Sequence, residues 1–139
     1  MQVAKNIKEN ELIELHCKNL SASIFYEVSI GDKSIFGKNS TDRRIDIVVI
    51  HAGEKSVDCN YCADKQLFHE LIKKEEIEIE IIEVKRKLNR NVIGQILVAD
   101  FMFKKKFNVK KVKKSVLYHI GDEALELFCN ENHINLIKY

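Results

Sequence analysis

Apolar and charged residues alternate with a period of two between Ile77 and Lys85, and most of the apolar positions carry β-branched isoleucine or valine. This pattern predicts a β-strand. The alternation breaks at Ile81-Ile82, beyond which Glu83 and Lys85 fall on the face that Ile81 occupies. A carboxylate and an ammonium on an apolar face are costly to bury unless they are paired or have a function.

The rest of the chain switches between strand-like and helix-like periodicity. Residues 33–41, which contain Gly37, Asn39 and Ser40, are interpreted as a loop with a short extended piece at Ile35-Phe36. The pattern predicts helices over 7–20, 63–74, 92–106 and 122–130, and strands over 23–30, 43–50, 77–85, 115–120 and 134–138. Strand-helix-strand units at the C-terminal end predict a mixed sheet with helices on both faces, an α/β domain.

The helix predicted over 92–106 is apolar nearly all round, which is typical of a central buried helix. Asn91 is its predicted N-cap. Gly94 lowers helix stability relative to alanine, which indicates tight packing against another backbone. Gln95 is the only neutral polar side chain in the interior of this helix, so it is either an ordinary surface position or a functional group.

With 139 residues, of which 45% are hydrophobic and 32% charged, the chain is expected to form one domain over 1–139. It contains no run of apolar residues long enough for a signal peptide or a membrane span, so we expect a cytoplasmic protein with no membrane partner. Cys59-Asn-Tyr-Cys62 provides half of a zinc site, but no second pair at metal-ligand spacing exists. Reduced thiols are the favoured interpretation of the four cysteines.

Charge is distributed unevenly although the net charge is only +2. Residues 85–114 carry 11 basic side chains and one acidic side chain, whereas residues 1–84 carry 11 basic and 16 acidic ones. A basic block of this kind suits a polyanion such as nucleic acid. The alternative interpretation is a solvated, lysine-rich helix end and loop.

Two acidic positions stand out because they interrupt apolar strands. Asp46 lies in Arg43-Arg44-Ile45-Asp46-Ile47-Val48-Val49-Ile50, a run so apolar that both of its faces should be covered. Its carboxylate is either ion-paired, for example with Arg43 or Arg44, or a metal ligand. The second is Glu83, in the only acid-x-Lys tripeptide of the chain, where chance predicts roughly three.

Asp46 on one strand, Glu83-Val84-Lys85 on the next and Gln95 on the helix that follows resemble the PD-(D/E)XK nuclease superfamily, which comprises restriction-endonuclease-like and Holliday-junction-resolvase-like enzymes. The resemblance covers about residues 7–120 and implies a restriction-endonuclease-like mixed central sheet flanked by helices. The implied order is helix, three strands, helix, strand, helix, strand. Two features depart from the family pattern: Ile45 replaces the proline, and residues 51–76 form an insertion between the acids.

The resemblance also implies a magnesium-dependent endonuclease or exonuclease that hydrolyses DNA phosphodiester bonds in repair, recombination or a mobile element. Asp46, Glu83 and the Val84 carbonyl would bind Mg²⁺, for which Mn²⁺ should substitute. Lys85 would orient or deprotonate the attacking water, and Gln95 would contact the phosphate or that water. A third acid is expected from Glu14, with Glu11 and Glu27 as rivals, and a homodimer is expected from the family.

The DNA backbone would be contacted by basic residues near the site and in the basic block, without base readout. These are Arg43, Arg44, Lys87, Arg90, Lys104, Lys105 and Lys106. The alternative function is a catalytically inactive nucleic-acid-binding or protein-interaction module of the same fold, in which the acids form a buried ion-pair network. DNA or RNA, and a branched, single-stranded or duplex substrate, remain open at this point.

Overall fold

The computed structural model describes residues 7–51, 58–60 and 64–139. The predicted periodic runs form helices and strands close to their expected bounds. The helices are α1 Glu9–Cys17, α2 Lys33–Phe36, α3 Lys65–Ile72, α4 Arg90–Phe107 and α5 Glu123–Glu131. The strands are β1 Ser23–Ser29, β2 Arg44–His51, β3 Asp58–Asn60, β4 Glu78–Lys87, β5 Lys113–Ile120 and β6 Ile134–Lys138.

The strands form one mixed six-stranded sheet in the order β3-β1-β2-β4-β5-β6. Strand β2 is antiparallel to both β1 and β4, whereas the β1–β3, β4–β5 and β5–β6 pairs are parallel. Because parallel neighbours need a crossover, α4 and α5 connect β4 to β5 and β5 to β6. The prediction of a mixed sheet in an α/β domain is confirmed.

Two apolar clusters cover the two faces of the sheet. The larger cluster joins α3, α4 and α5 to one face and includes Phe68 of α3 and Phe103 of α4. The smaller one joins α1 to the other face through Leu12, which packs with Ile82 and Val84 of β4. Helices therefore lie on both faces, as the sequence predicted, and the central strands are buried on both sides.

Three local expectations are wrong. Residues Lys33–Phe36 form the short helix α2 rather than an extended piece, because Asp32 caps it by accepting a hydrogen bond from the Ser34 amide at 2.9 Å. Helix α4 is capped by Asn89 rather than Asn91, with the Asn89 side chain accepting from the Val92 amide at 2.9 Å. The connection over 51–76 also contributes β3 to the sheet, which periodicity did not reveal in so short a strand.

Helix α4 is not buried all round, contrary to the prediction. Leu97, Val98 and Phe101 are between 40% and 56% exposed. Gly94 is exposed, and a Cβ atom there would meet nothing within 4 Å, so it makes no close backbone approach. The reason is that this side of α4 faces a cleft instead of a packed neighbour.

No helix in the described part of the chain has the length and apolar character needed to cross a membrane. Cys129 is a buried free thiol, and burial raises the pKa of that thiol. Cys59 is a residue of β3, whereas Cys62 lies outside the described residues.

Candidate active site

The sheet is irregular at one level, where β1 and β2 both change the face to which their side chains point. Tyr26 and Ile47 pack with the α1-side cluster, but Val28 and Ile45, two residues away, pack with the α4-side cluster. Strict alternation would keep residues two apart on one face. Glu27 lies at the change in β1 with a positive φ of 56°, which is uncommon for a residue with a side chain.

Asp46 lies at the corresponding point of β2, between the Tyr26–Ile47 and Val28–Ile45 pairs. On its other side the β2–β4 ladder runs from His51–Glu78 to Ile47–Ile82 and ends there. Beyond that end, the Val84 amide donates to Asp46 Oδ2 at 2.8 Å. A side-chain carboxylate therefore takes the place of a backbone acceptor, and the backbones of β2 and β4 separate at Asp46. We call this separation the opening.

The carboxyl groups of Asp46 and Glu83 meet at this opening, within hydrogen-bonding reach of one another. Glu83 is only 7% exposed. Burial, then the charge and hydrogen bond of Asp46, and then the charge of Glu27 raise the pKa of Glu83 to about 9. In the absence of a cation, the Glu83 carboxyl is therefore protonated at neutral pH.

An open cleft of about 450 Å³ lies beside Glu83, between the sheet and α4. Two arginines and one glutamine contribute to its lining, together with the exposed Gly94 of α4. Its lining residues are Ile30, Arg43, Arg44, Glu83, Gly94, Gln95, Val98 and Ala99. The structure thus brings four of the sequence-predicted site residues, Arg43, Arg44, Glu83 and Gln95, to one cavity.

Lys85 occupies the end of β4, two residues beyond Glu83. Its ammonium lies 3.9 Å from Glu9 Oε1 on the first turn of α1, with both side chains about half exposed. Among the described acids, Glu9 is the one within ion-pairing distance of Lys85. The ion pair that the structure gives Lys85 is therefore with α1 and not with Glu83.

The described contacts connect two further acids, Glu27 and Glu9, to residues of the site, and Glu14 as the third acid stays a prediction. Glu14 and Glu11 are exposed on α1, and no described contact joins either side chain to Asp46 or Glu83. Glu27 is the acid whose charge acts on Glu83, and Glu9 is the acid of α1 beside Lys85. Sequence reasoning missed Glu9, whose position in the first turn of a helix was its only signal.

The predicted basic contacts fall into two groups. Lys87 and Arg90 are exposed where β4 ends and α4 begins, close to the opening. Lys104 is ion-paired with Asp100 at 3.1 Å, and Lys106 donates to the Ser29 and Gly31 carbonyls at 3.0 and 3.1 Å. Lys104 and Lys106 therefore have structural partners of their own, while Lys105 between them is exposed.

The donor set fits a hard cation that keeps open coordination positions. Within residues 7–51, 58–60 and 64–139, no three His, Cys, Asp or Glu side chains are arranged as a metal site. What the opening offers is the Asp46–Glu83 pair, with Asp46 Oδ1 not used by the Val84 amide. Because the amide and carbonyl of one strand residue point to the same neighbour, the Val84 carbonyl faces β2 as well. One or two carboxylates with a further oxygen and free positions suit Mg²⁺.

Comparisons of the chain with protein-family models, curated proteins and solved structures gave no match. A function for this protein therefore has to be argued from the chemistry of its site.

Proposed function

We propose that this protein is a magnesium-dependent nuclease that hydrolyses phosphodiester bonds in DNA, with a PD-(D/E)XK-like site at the opening between β2 and β4. The single observation that carries the proposal is the meeting of the Asp46 and Glu83 carboxyl groups, from two strands, beside a cleft lined by Arg43, Arg44 and Gln95. A buried pair of carboxyl groups is costly to ionise unless a cation compensates the two charges, and a bound divalent cation would do so.

Fold and element order support the same proposal. Helix α1, strands β1, β2 and β4, helix α4 and strand β5 follow one another in the order that the PD-(D/E)XK resemblance implies. Asp46 and Glu83 lie on adjacent antiparallel strands, and Gln95 lies on the helix that follows. The restriction-endonuclease-like assignment is part of the proposal, since the α/β architecture alone hosts many functions.

Each residue then has a role set by its position. Asp46, Glu83 and the Val84 carbonyl hold the cation, and the Val84 amide fixes the Asp46 carboxylate in place. A bound Mg²⁺ would activate a water and neutralise charge that develops on the phosphate. Lys85, half exposed at the end of β4, orients that water or donates to the phosphate, and Glu9 limits the positions its ammonium can take.

Gln95, on the opposite wall of the cleft from the strands, donates or accepts a hydrogen bond at the phosphate or the water. Arg43 and Arg44 attract the polyanion to the cleft, and the Arg43 guanidinium is steadied by the Thr41 carbonyl at 3.1 Å. These contacts hold the backbone and carry no base information.

A cleavage panel tests the proposal: linear duplex, single-stranded, flapped and four-way DNA, each with Mg²⁺, Mn²⁺ or a chelator. We expect cleavage of at least one substrate with either metal and none with the chelator. Asp46→Asn and Lys85→Ala should reduce the cleavage rate by at least about 100-fold, since each removes a group that acts on the reacting atoms.

Glu78→Gln is the matched control, because Glu78 is an exposed acid on the same strand at the far end of the ladder. It should cleave like the unmodified protein. Cleavage that persists in Asp46→Asn at the unmodified rate would refute the assignment of the site.

The second candidate is a catalytically silent nucleic-acid-binding module of the same fold. Two observations favour it: Lys85 is paired with Glu9, and the pKa of the buried Glu83 carboxyl beside Asp46 is raised to about 9. DNA binding without cleavage of any substrate in the panel, under every metal condition, would select this alternative.

A further inference from the structure

A patch of exposed apolar side chains continues from the cleft along α4. It consists of Leu97, Val98 and Phe101 on α4, which are 40%, 46% and 56% exposed. We call these three residues the apolar patch. Exposed apolar groups that lie together, unlike single ones, usually mark a binding surface.

The patch and the cleft share one helix face. Gly94 and Val98 line the cleft, and Phe101 lies one turn further along α4 in the same direction. Residues spaced by three and four positions are neighbours on a helix surface. A strand of nucleic acid leaving the cleft along α4 would therefore pass directly over Phe101.

The Phe101 ring is exposed but supported. The ring of Phe36, at the end of α2, lies 6.4 Å from it between centroids and is tilted by 49°. Phe36 itself packs against the core, so it limits the orientations of Phe101, which stays 56% exposed. An ordered aromatic ring at the surface is suited to stacking with a planar group.

Charge around the patch favours a polyanion as the occupant. Arg43 and Arg44 line the cleft that adjoins Val98, and Lys105 is exposed one turn beyond Phe101. Cations along the path together with an aromatic ring at the surface are the combination by which proteins bind single-stranded nucleic acid. A duplex keeps its bases stacked inside, so it offers no free base to such a ring.

We propose that the apolar patch binds unpaired bases, with Phe101 stacking on a base of the strand that runs through the cleft. This inference rests on the proposed function, and it assigns the substrate class as nucleic acid with a single-stranded segment beside the cleavage position. Leu97 and Val98 provide the apolar surroundings of that base, while Arg43 and Arg44 bind phosphates.

Binding without metal tests the inference separately from catalysis. Fluorescence anisotropy in a chelator would compare an oligothymidylate of about twelve nucleotides, an abasic strand with the same number of phosphates, and a duplex of that length. The unmodified protein should bind the oligothymidylate most tightly. Phe101→Ala should weaken that binding about 5- to 150-fold, the range for one lost base stack, and leave binding of the abasic strand unchanged.

Two variants sharpen the comparison. Phe101→Leu keeps an apolar side chain and loses the ring, so its affinity for oligothymidylate should lie between that of the unmodified protein and that of Phe101→Ala. Phe128→Ala removes an exposed phenylalanine on α5, 42% exposed and outside the patch, and should bind all three probes like the unmodified protein.

Equal affinity of the unmodified protein for the oligothymidylate and the abasic strand would overturn the inference and leave the nuclease proposal standing. A dimer in sedimentation that Phe101→Ala dissociates would also overturn it, because the patch would then be a subunit interface. Absence of binding to all three probes would overturn the inference, and the cleavage panel with metal would then decide the nuclease proposal separately.

Discussion

At the residue scale, Asp46 has two separable roles: it carries a charge, and it accepts the Val84 amide at 2.8 Å. Asparagine keeps an acceptor oxygen and removes the charge, whereas alanine leaves a half-buried amide without its partner. Asp46→Asn should therefore unfold at nearly the denaturant concentration of the unmodified protein, and Asp46→Ala should lose about 1–3 kcal/mol of stability. Urea unfolding measures the difference, and equal losses in both variants would argue against this role of the hydrogen bond. Both variants should be inactive.

The raised pKa of Glu83 predicts how the stability of the metal-free protein depends on pH. Its folded-state pKa of about 9 lies above the ordinary value of 4.5, so above pH 4.5 the folded state binds more protons than the unfolded state. Stability should therefore decrease as the pH rises from about 5 to about 8 in a chelator. Glu83→Gln removes the titrating group and should flatten this dependence in urea unfolding. A stability of the unmodified protein that rises over this range would contradict the assignment.

The raised pKa of Glu83 also predicts how metal affects stability, because a cation bound by Asp46 and Glu83 must displace the proton of Glu83. Mg²⁺ should raise the thermal midpoint more at about pH 8 than at about pH 6, and it should have no such effect on Glu83→Gln. Thermal unfolding with and without Mg²⁺ measures this shift without reference to activity. A shift that Glu83→Gln retains in full would place the cation elsewhere.

At the element scale, α4 combines a packed side with a cleft side, and Gly94 lies on the cleft side. Because a Cβ atom meets nothing there, Gly94→Ala should raise stability by about 0.5–1 kcal/mol, the gain in helix propensity over glycine. Gly94→Leu should also fold, but its side chain would enter the cleft and reduce cleavage. Urea unfolding and the cleavage assay separate the two effects; destabilisation by Gly94→Ala would mean that the position is more crowded than the structure indicates.

The elements also show which predictions periodicity supports. Amphipathic and alternating patterns located α1, α3, α5 and the five longer strands, because burial of one face leaves a repeat in the sequence. They failed for α2, which owes its start to the Asp32 cap, and for the three-residue β3. The exposed side of α4 was predicted to be buried because apolar residues at a binding surface look like core residues in sequence.

At the scale of the whole molecule, the basic block of the sequence is spread over two ends of the fold. Lys87 and Arg90 lie at the end of the sheet where β2 and β4 open. Lys110 and Lys111 precede β5, whose first residue, Lys113, pairs with Glu80 near the other end of β4. Arg43 and Arg44, which line the cleft, lie at the same end as Lys87 and Arg90, so the two ends should contribute differently to DNA binding.

Paired substitutions measure this difference. Arg43→Gln with Arg44→Gln should lower the affinity for DNA and reduce the slope of log affinity against log salt by roughly 1.4–1.8, the value for two phosphate contacts. Lys110→Gln with Lys111→Gln removes the same charge at the far end and should change the slope by less than half as much. Equal changes in slope would mean that DNA contacts the molecule along its length.

The sequence alone determined the α/β class and the order of the main elements, because local periodicity distinguishes helices from strands. It also identified the candidate acids, because each of them interrupts an apolar run. Only the tertiary structure decided which acids meet. Strands β1 and β2 change face at Glu27 and Asp46, and the β2–β4 ladder ends one position short of Glu83. These are long-range pairing events without a local signature, and they bring Glu27 and Glu9, rather than only the acids that the sequence singled out, next to residues of the site.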